Sequence, residues 1–191
     1  MLQREIDPAQ AADIEKFDLV LSVYLAVEIG EDVFRVFRLT NGIYGQRQGG
    51  TNQMVRVRIP YGGVTPEQLD LFARLSEEYS RGWGHITTRQ NVQFHFVPLE
   101  RIPDVMRDLG SVGLTTREAC GDAVRNVMGC HLAGACPHEH LDITHWAQAA
   151  NDPLERSLYF VDKSTEATEL FNTQHTQEAL TADIGDCHLD N

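Results

Sequence analysis

Apolar residues recur at three- and four-residue steps from Pro8 to about Arg38, and this spacing is typical of amphipathic helices. Gly30 interrupts the run, so the pattern predicts two helices that are separated at this glycine. Asn41-Gly42 and Gly49-Gly50 follow as turn signals and predict a loop. The sequence therefore begins with a helical extension of about fifty residues.

Two later segments alternate strictly between apolar and polar residues, as half-buried strands do. The first is Met54–Ile59 and the second is Asn91–Val97, which follows His85–Thr88 as the second member of a strand pair. Side chains of a strand point alternately to its two faces. The alternation predicts an apolar side with Val55, Val57, Ile59, Val92, Phe94 and Phe96, and a polar side with Met54, Arg56, Arg58, Gln93 and His95.

Helical patterns follow each of these strands. Thr65-Pro66 starts the first helix, with a capping threonine, a proline in the first turn and a glutamine three residues after the cap. The second runs from Ile102 to Leu109 and ends at Gly110. Strand, helix, strand pair and helix form part of a split βαβ unit, so we predict an α+β fold with a ferredoxin-like half-domain.

The pattern weakens after Thr116, and only residues 142–150 again favour a helix. We predict a helical extension at 1–50, a ferredoxin-like half-domain at 51–115, the start of a second, incomplete domain at 116–150 and a divergent acidic tail at 151–191.

Composition excludes several classes of protein. The net charge of −12 argues against a nucleic-acid surface, which needs a basic footprint. No apolar run reaches the length of a membrane span, and residues 1–10 do not resemble a secretory signal. Four unevenly spaced cysteines do not form a disulfide framework. We expect a cytoplasmic protein.

All nine basic residues between positions 51 and 128 are arginines. Arginine is suited to bidentate capture of carboxylates and oxyanions, so the polar side of the sheet is a candidate anion site. The alternative is that these side chains are exposed to water, because burying them without partners would cost several kcal/mol.

Four motifs occur in a fixed order. They are Asn41-Gly-Ile-Tyr-Gly-Gln-Arg-Gln48, Val55-Arg-Val-Arg-Ile-Pro60, Thr87-Thr-Arg-Gln-Asn-Val-Gln-Phe-His95 and Asp122-Ala-Val-Arg-Asn-Val-Met-Gly-Cys130. Together they resemble the opening half of the nitrite and sulfite reductase haemoprotein family, over roughly residues 12–150.

This resemblance implies a six-electron reduction of sulfite to sulfide or of nitrite to ammonia, with sirohaem and a [4Fe–4S] cluster as cofactors. Sirohaem is an acidic macrocycle, and an arginine-rich sheet face is a suitable partner for it. The resemblance implies that Arg56 and Arg125 bind the substrate oxyanion. It further implies that the cofactor contacts Arg58, Arg89, Gln93, His95 and Asn126. His85 is interpreted as structural, and Gln90 and Asn91 as turn residues.

Cys130 and Cys136 are weak candidates for metal ligands. Their spacing copies the first cysteine pair of the family's cluster, but that cluster motif lies in the second half of family members, and only Cys187 follows here. A zinc or iron site that adds His131, His138 and His140 is an alternative, although the spacing matches no standard finger. A third interpretation makes both cysteines small packed residues.

The resemblance covers one half of a protein that is built from two pseudo-symmetric halves. We therefore expect this chain to be inactive alone and to need a second half that contains the cluster. This chain would then be either a truncated copy or one chain of a split enzyme. The expected partners are sulfite or nitrite and an electron donor such as ferredoxin or a flavoprotein. A non-catalytic tetrapyrrole- or anion-binding module and a structural remnant are the alternatives.

Overall fold

The computed structural model describes residues 5–48, 50–117, 119 and 126–151. Arg125, Cys120, Cys187 and the acidic tail from residue 152 onward lie outside the described residues. The helices are α1 (Pro8–Leu25), α2 (Glu31–Thr40), α3 (Pro66–Tyr79) and α4 (Ile102–Gly110), and the strands are β1 (Ile43–Gly45), β2 (Asn52–Val57), β3 (Gly84–Ile86) and β4 (Val92–Pro98).

The four strands form one antiparallel sheet in the order β1-β2-β4-β3. Helices α3 and α4 contact each other, and their apolar side chains join those of the two central strands in one core. The most deeply buried members include Val55, Val57, Phe94, Leu75, Ile102 and Leu109. The predicted α+β fold with a ferredoxin-like half-domain is confirmed.

The two predicted N-terminal helices are present, and they pack onto the half-domain. Helix α1 contacts α4, and α2 contacts β1. Phe17 stacks on Phe37 with ring centroids 5.6 Å apart, which joins the two helices. Gln10 Nε2 donates to the carbonyl of Leu114 at 2.7 Å, so α1 is also fixed to the segment that follows α4.

The predicted start of α3 is confirmed in detail. Thr65 Oγ1 accepts from the backbone N–H of Gln68 at 3.3 Å, and the Gln68 side chain accepts from the Thr65 N–H at 2.9 Å. This capping box satisfies two N–H groups that the first helical turn leaves without partners.

Strand β1 falls where the sequence predicted a loop, and that prediction is wrong for Ile43–Gly45. Ile43 pairs with Val55, and Gly45 with Gln53. Three residues are too few for an alternating pattern to be recognised in the sequence. This edge strand is specified by its pairing with β2. The pairing also brings residues of the predicted helical extension into the sheet.

The predicted alternation of β4 is wrong at Phe96, because the strand contains a β-bulge. Val55 pairs with Phe94 and Gln53 with Val97, so Met54 alone lies opposite both His95 and Phe96. Val97, and not Phe96, is therefore the next core residue, with no exposed surface. Phe96 is half-buried and has a φ of +63°.

The chain after α4 returns to the sheet. Arg58 and Thr115 form an antiparallel bridge beyond the end of β2. Residues 144–151 are helical, close to the helix that was predicted at 142–150. None of the helices in the described ranges has both the length and the apolar character needed to cross a membrane.

Candidate functional site

The side of the sheet opposite the core carries a set of polar and aromatic side chains that we call the polar face: Tyr44, Arg56, His85, Gln93 and His95. Arg56 of β2 and His85 of β3 lie directly opposite Gln93 of β4, from either side. Residues that lie directly opposite one another in an antiparallel pair project to the same face. The sheet thus brings Arg56, Gln93 and His95 together, as the sequence predicted.

The guanidinium of Arg56 is held by three neighbours. The side-chain oxygen of Gln93, with the amide turned towards Arg56, accepts from Nη2 at 2.5 Å and from Nε at 2.7 Å. Nη1 donates to the carbonyl of Ala119 at 3.3 Å, and the Tyr44 ring lies 5.6 Å from Cζ. A neutral amide fixes the orientation of the guanidinium, and no described acidic side chain forms an ion pair with it, which is favourable for an anion site.

His95 is enclosed by aromatic rings and one amide. Trp83 stacks on its imidazole with centroids 5.3 Å apart, and His85 lies at 6.2 Å. Burial, and secondarily the nearby charge of His85, lower the pKa of His95 below its usual value of 6.5. His95 is therefore neutral at pH 7.

The hydrogen bonding of His95 leaves one ring nitrogen available. The side-chain nitrogen of Gln46 lies 2.9 Å from Nδ1, and an amide N–H that donates there places the imidazole proton on Nε2. Nε2 is buried and has no hydrogen-bond partner in the part of the chain that the structure describes. A buried donor without an acceptor is costly unless a ligand supplies the acceptor.

Arg89 and Asn126 form a second group at the end of the sheet. Asn126 Nδ2 donates to the carbonyl of Ile59 at 2.7 Å and to the carbonyl of Arg89 at 2.9 Å. Arg89 is exposed, and its Nη1 lies 3.5 Å from the Asn126 carbonyl. Asn126 is buried, so its described role is to hold the turn after β3 against the end of β2.

Gln90 and Asn91 do more than form a turn. The Gln90 side chain donates to the Gly129 carbonyl at 2.9 Å and accepts from the Gly129 N–H at 3.3 Å. Asn91 Oδ1 accepts from the N–H of Ile59 at 3.0 Å. Their position beside Arg89 in the third motif was the only signal in the sequence for these contacts.

Exposure to water, the alternative interpretation for the polar side of the sheet, is wrong for Arg58. Arg58 is only 2% exposed. Its backbone N–H donates to the Thr115 carbonyl at 2.9 Å, because the chain after α4 crosses the end of β2 there. A cofactor contact for Arg58 stays a prediction, as do the roles of the other predicted site residues, and Arg125 lies outside the described residues.

The two candidate cysteines are free thiols, with Cys130 exposed and Cys136 half-buried. Within the described ranges no three His, Cys, Asp or Glu side chains are close enough to hold a metal ion together.

A cavity of about 700 Å³ opens on the other side of the sheet from the polar face. It lies between α3, the edge strand β3 and the segment after residue 128. Its walls include Leu69, Phe72, Ile86, Phe94, Cys130 and Ala147, and they do not include Arg56, Arg58 or Arg89. An apolar cavity of this kind is not suited to an oxyanion or to an acidic macrocycle.

Comparisons with known proteins identify the half-domain. The family model described as "Nitrite/Sulfite reductase ferredoxin-like half domain" matches residues 44–112. Residues 44–112 are thus similar to the ferredoxin-like half domain found in nitrite and sulfite reductases. The matched range runs from β1 through α4 and contains the whole polar face.

Curated relatives agree with this assignment. The chain is 44% identical over 94 residues to a sulfite reductase [ferredoxin] of Mycobacterium tuberculosis strain H37Rv, covering 49% of the chain and 17% of the relative. It is 38% identical over 109 residues to an assimilatory ferredoxin-dependent nitrite reductase of Haloferax mediterranei, covering 51% and 19%.

A solved structure, that of the Mycobacterium tuberculosis NirA protein, resembles the chain with a TM-score of 0.58 and 28% identity, over 80% of this chain and 32% of that one. The matches thus span less than a fifth of the curated relatives cited and about a third of the solved chain.

Proposed function

We propose that the polar face is the cofactor- and anion-binding surface of a sirohaem-dependent sulfite or nitrite reductase, to which this chain contributes the ferredoxin-like half-domain. The observation that carries the proposal is the Arg56 guanidinium, which Gln93 orients beside His95 inside the part of the chain that matches the family. Oxyanion substrates and the macrocycle's carboxylates are both negatively charged, and both suit this surface.

The residues present fit an acidic tetrapyrrole. Arg56 supplies a half-buried positive charge whose Nε edge is held by a neutral amide, and His95 supplies a buried N–H donor to which no described residue offers an acceptor. When bound, sirohaem supplies the redox chemistry of the six-electron reduction, and the [4Fe–4S] cluster implied by the family supplies electrons. The chain's own residues would bind and orient the cofactor and the substrate.

Arg56 has a defined part in this proposal. Because Nε and Nη2 are held by Gln93, the guanidinium keeps one orientation and requires little reorganisation when an oxyanion approaches. Neutral His95 donates a hydrogen bond from Nε2 and adds no positive charge that would repel the Arg56 guanidinium. Arg125, next to Asn126 in the chain, is proposed as the second substrate arginine.

The remaining partners follow from the relatives' names. The Mycobacterium and Haloferax relatives are named for ferredoxin, and an Anoxybacillus flavithermus relative is named as the haemoprotein component of an NADPH sulfite reductase. We propose ferredoxin or a flavoprotein as electron donor, sulfite or nitrite as substrate, and a second half, possessing the cluster ligands, as the structural partner. Cytoplasmic location also stays a proposal, since a spinach relative is named chloroplastic.

A non-catalytic module that binds a tetrapyrrole or an anion is the second candidate. One observation favours it: Arg56, Gln93, His95 and the Gln46 amide meet within a single chain, so the face forms without a contribution from another half. Such a module would bind the macrocycle and transfer no electrons to it.

Titration of the full 191-residue chain with sirohaem, followed by absorbance, tests the proposal. Wild type is expected to bind, and Arg56→Gln to bind at least tenfold more weakly, because a charge-assisted contact is worth about 1.5–3 kcal/mol. Arg35→Gln is the matched control, since that exposed arginine on α2 pairs with Asp32, away from the sheet. Equal affinity of wild type and Arg56→Gln would refute the proposed surface.

Adding a purified second half with its cluster separates the two candidates. Reduction of sulfite or nitrite by the mixture supports the reductase. Binding of sirohaem without any turnover in the mixture supports the non-catalytic module.

A further inference from the structure

The β4 bulge moves Phe96 out of the core and towards the polar face. Gln53–Val97 and Val55–Phe94 are both buried pairs, so the two residues between them on β4 share the single position opposite Met54. Met54 lies on the same side of β2 as Arg56. The Phe96 ring consequently lies next to His95, with centroids 6.4 Å apart, at the border of the polar face.

Phe96 supports an arginine that no motif singled out. The Cζ atom of Arg81 lies 3.5 Å from the centre of the Phe96 ring, a close cation–π contact. The preceding residue, Ser80, donates from Oγ to the carbonyl of His95 at 2.6 Å. The α3–β3 turn is thereby fixed to the bulge, and Arg81 is held beside His95.

The charge of Arg81 is not compensated locally. Arg81 is exposed, and no acidic side chain within the described ranges forms an ion pair with it. A comparable contact on the opposite side of the sheet differs in this respect. Arg101 lies 4.7 Å from the Tyr79 ring and pairs with Asp104 at 3.0 Å.

We propose that Arg81 is a further anion-binding residue of the polar face, which binds a carboxylate of an acidic tetrapyrrole at the edge opposite Arg56. This inference rests on the proposed function, because it assumes that the macrocycle lies across the polar face. Arg56 and Arg81 then contact the ligand from the two sides of His95. The φ of +63° at Phe96 is the backbone strain that accompanies this placement.

The test is a titration of the full chain with uroporphyrin, an acidic tetrapyrrole that bears carboxylates on every ring, at several salt concentrations. Arg81→Gln is expected to bind about fivefold more weakly and to lose part of the salt dependence, because one exposed ion pair is removed. Arg81→Lys keeps the charge and is expected to retain most of the affinity. Arg101→Gln, which removes the comparable cation–π contact on the helix side, is expected to bind as wild type does.

Two results overturn the inference separately from the proposed function. If wild type binds and Arg56→Gln weakens binding, but Arg81→Gln binds like wild type with an unchanged salt dependence, Arg81 is not a ligand-binding residue. If Arg81→Lys is as weak as Arg81→Gln while both retain wild-type circular dichroism, the charge is not what binds. Failure of wild type to bind uroporphyrin or sirohaem would refute the proposed function and this inference together.

Discussion

At the scale of single residues, His95 links the polar face to the stability of the fold. Its pKa is lowered by burial and then by His85, so the unfolded chain takes up a proton at a higher pH than the folded chain. The contribution of His95 to the free energy of unfolding is therefore fully present above pH 6.5, the usual pKa of histidine, and it decreases as the pH falls below that value. Urea unfolding of wild type and His95→Gln between about pH 5 and pH 8 should show a free-energy difference that shrinks on the acid side.

The control for this prediction is His145→Gln, since His145 is exposed. Its unfolding curve should follow that of wild type at every pH. A constant difference between wild type and His95→Gln across the range would show that His95 titrates alike in the folded and unfolded chains.

Alternation along β2 and β4 was enough to predict that Arg56, Gln93 and His95 share a face, because a regular strand has a period of two residues. The burial of Arg58 could not be predicted in this way. It depends on the bridge to Thr115, a contact between residues more than fifty positions apart. Gln46 and His95 are likewise far apart in sequence. The Asn41–Gln48 motif drew attention to the segment around Gln46 but did not predict its contact with His95.

At the scale of elements, local signals predicted the helices well and the irregular strand poorly. The capping box of α3 is complete within four residues, so the sequence contains all of its information. The bulge of β4 depends on how β2 pairs with it, and Phe96 is an apolar residue in phase with Val92 and Phe94. Nothing in the spacing of those residues distinguishes Phe96 from a core position.

Gly42 joins β1 to the sheet through a close backbone approach. It has a φ of +77°, and a Cβ atom there would overlap the Thr116 carbonyl oxygen and lie 3.0 Å from that of Arg56. Gly50 has a φ of +80° but nothing within 4 Å of its Cβ position. We expect Gly50→Ala to cost about 1 kcal/mol, from backbone strain alone, and Gly42→Ala about 3 kcal/mol, since steric overlap is added.

Thermal or urea unfolding of the two variants measures this difference directly. Because both glycines have almost the same φ, the comparison isolates the contacts with the Thr116 and Arg56 carbonyls. Equal losses of stability would mean that the backbone approach at Gly42 relaxes without cost.

At the scale of the whole molecule, two segments that are distant in sequence are joined to one sheet. The N-terminal helices attach through α4 and β1, and the chain after α4 attaches through Thr115 and Asn126. Hydrophobic patterning predicted the order of the elements but not these attachments, which include the backbone pair of Arg58 and Thr115 and the side-chain bonds of Gln10 and Asn126 to backbone carbonyls. The proposed domain boundary near residue 115 is a prediction that these contacts do not test.

Asn126 is the attachment with the clearest consequence. Its side-chain nitrogen donates to the carbonyls of Ile59 and Arg89, and Asn126→Ala would leave both without this donor in a buried site. We expect a loss of about 1–3 kcal/mol in urea unfolding, the cost of removing the donor from the Arg89 carbonyl, because the Ile59 carbonyl still accepts from the Gly62 N–H at 3.1 Å. The turn carrying Arg89 should also open more often. The backbone N–H of Gln90, which donates to the Thr87 carbonyl at 3.0 Å, should therefore exchange its hydrogen faster.

Met128→Ala, at a half-exposed side chain two residues away, is the control and should leave both measurements near wild type. If Asn126→Ala loses stability without faster exchange at Gln90, the asparagine stabilises the segment after residue 126 but does not hold the turn, and Arg89 would then be positioned by Asn91 and its bond to Ile59.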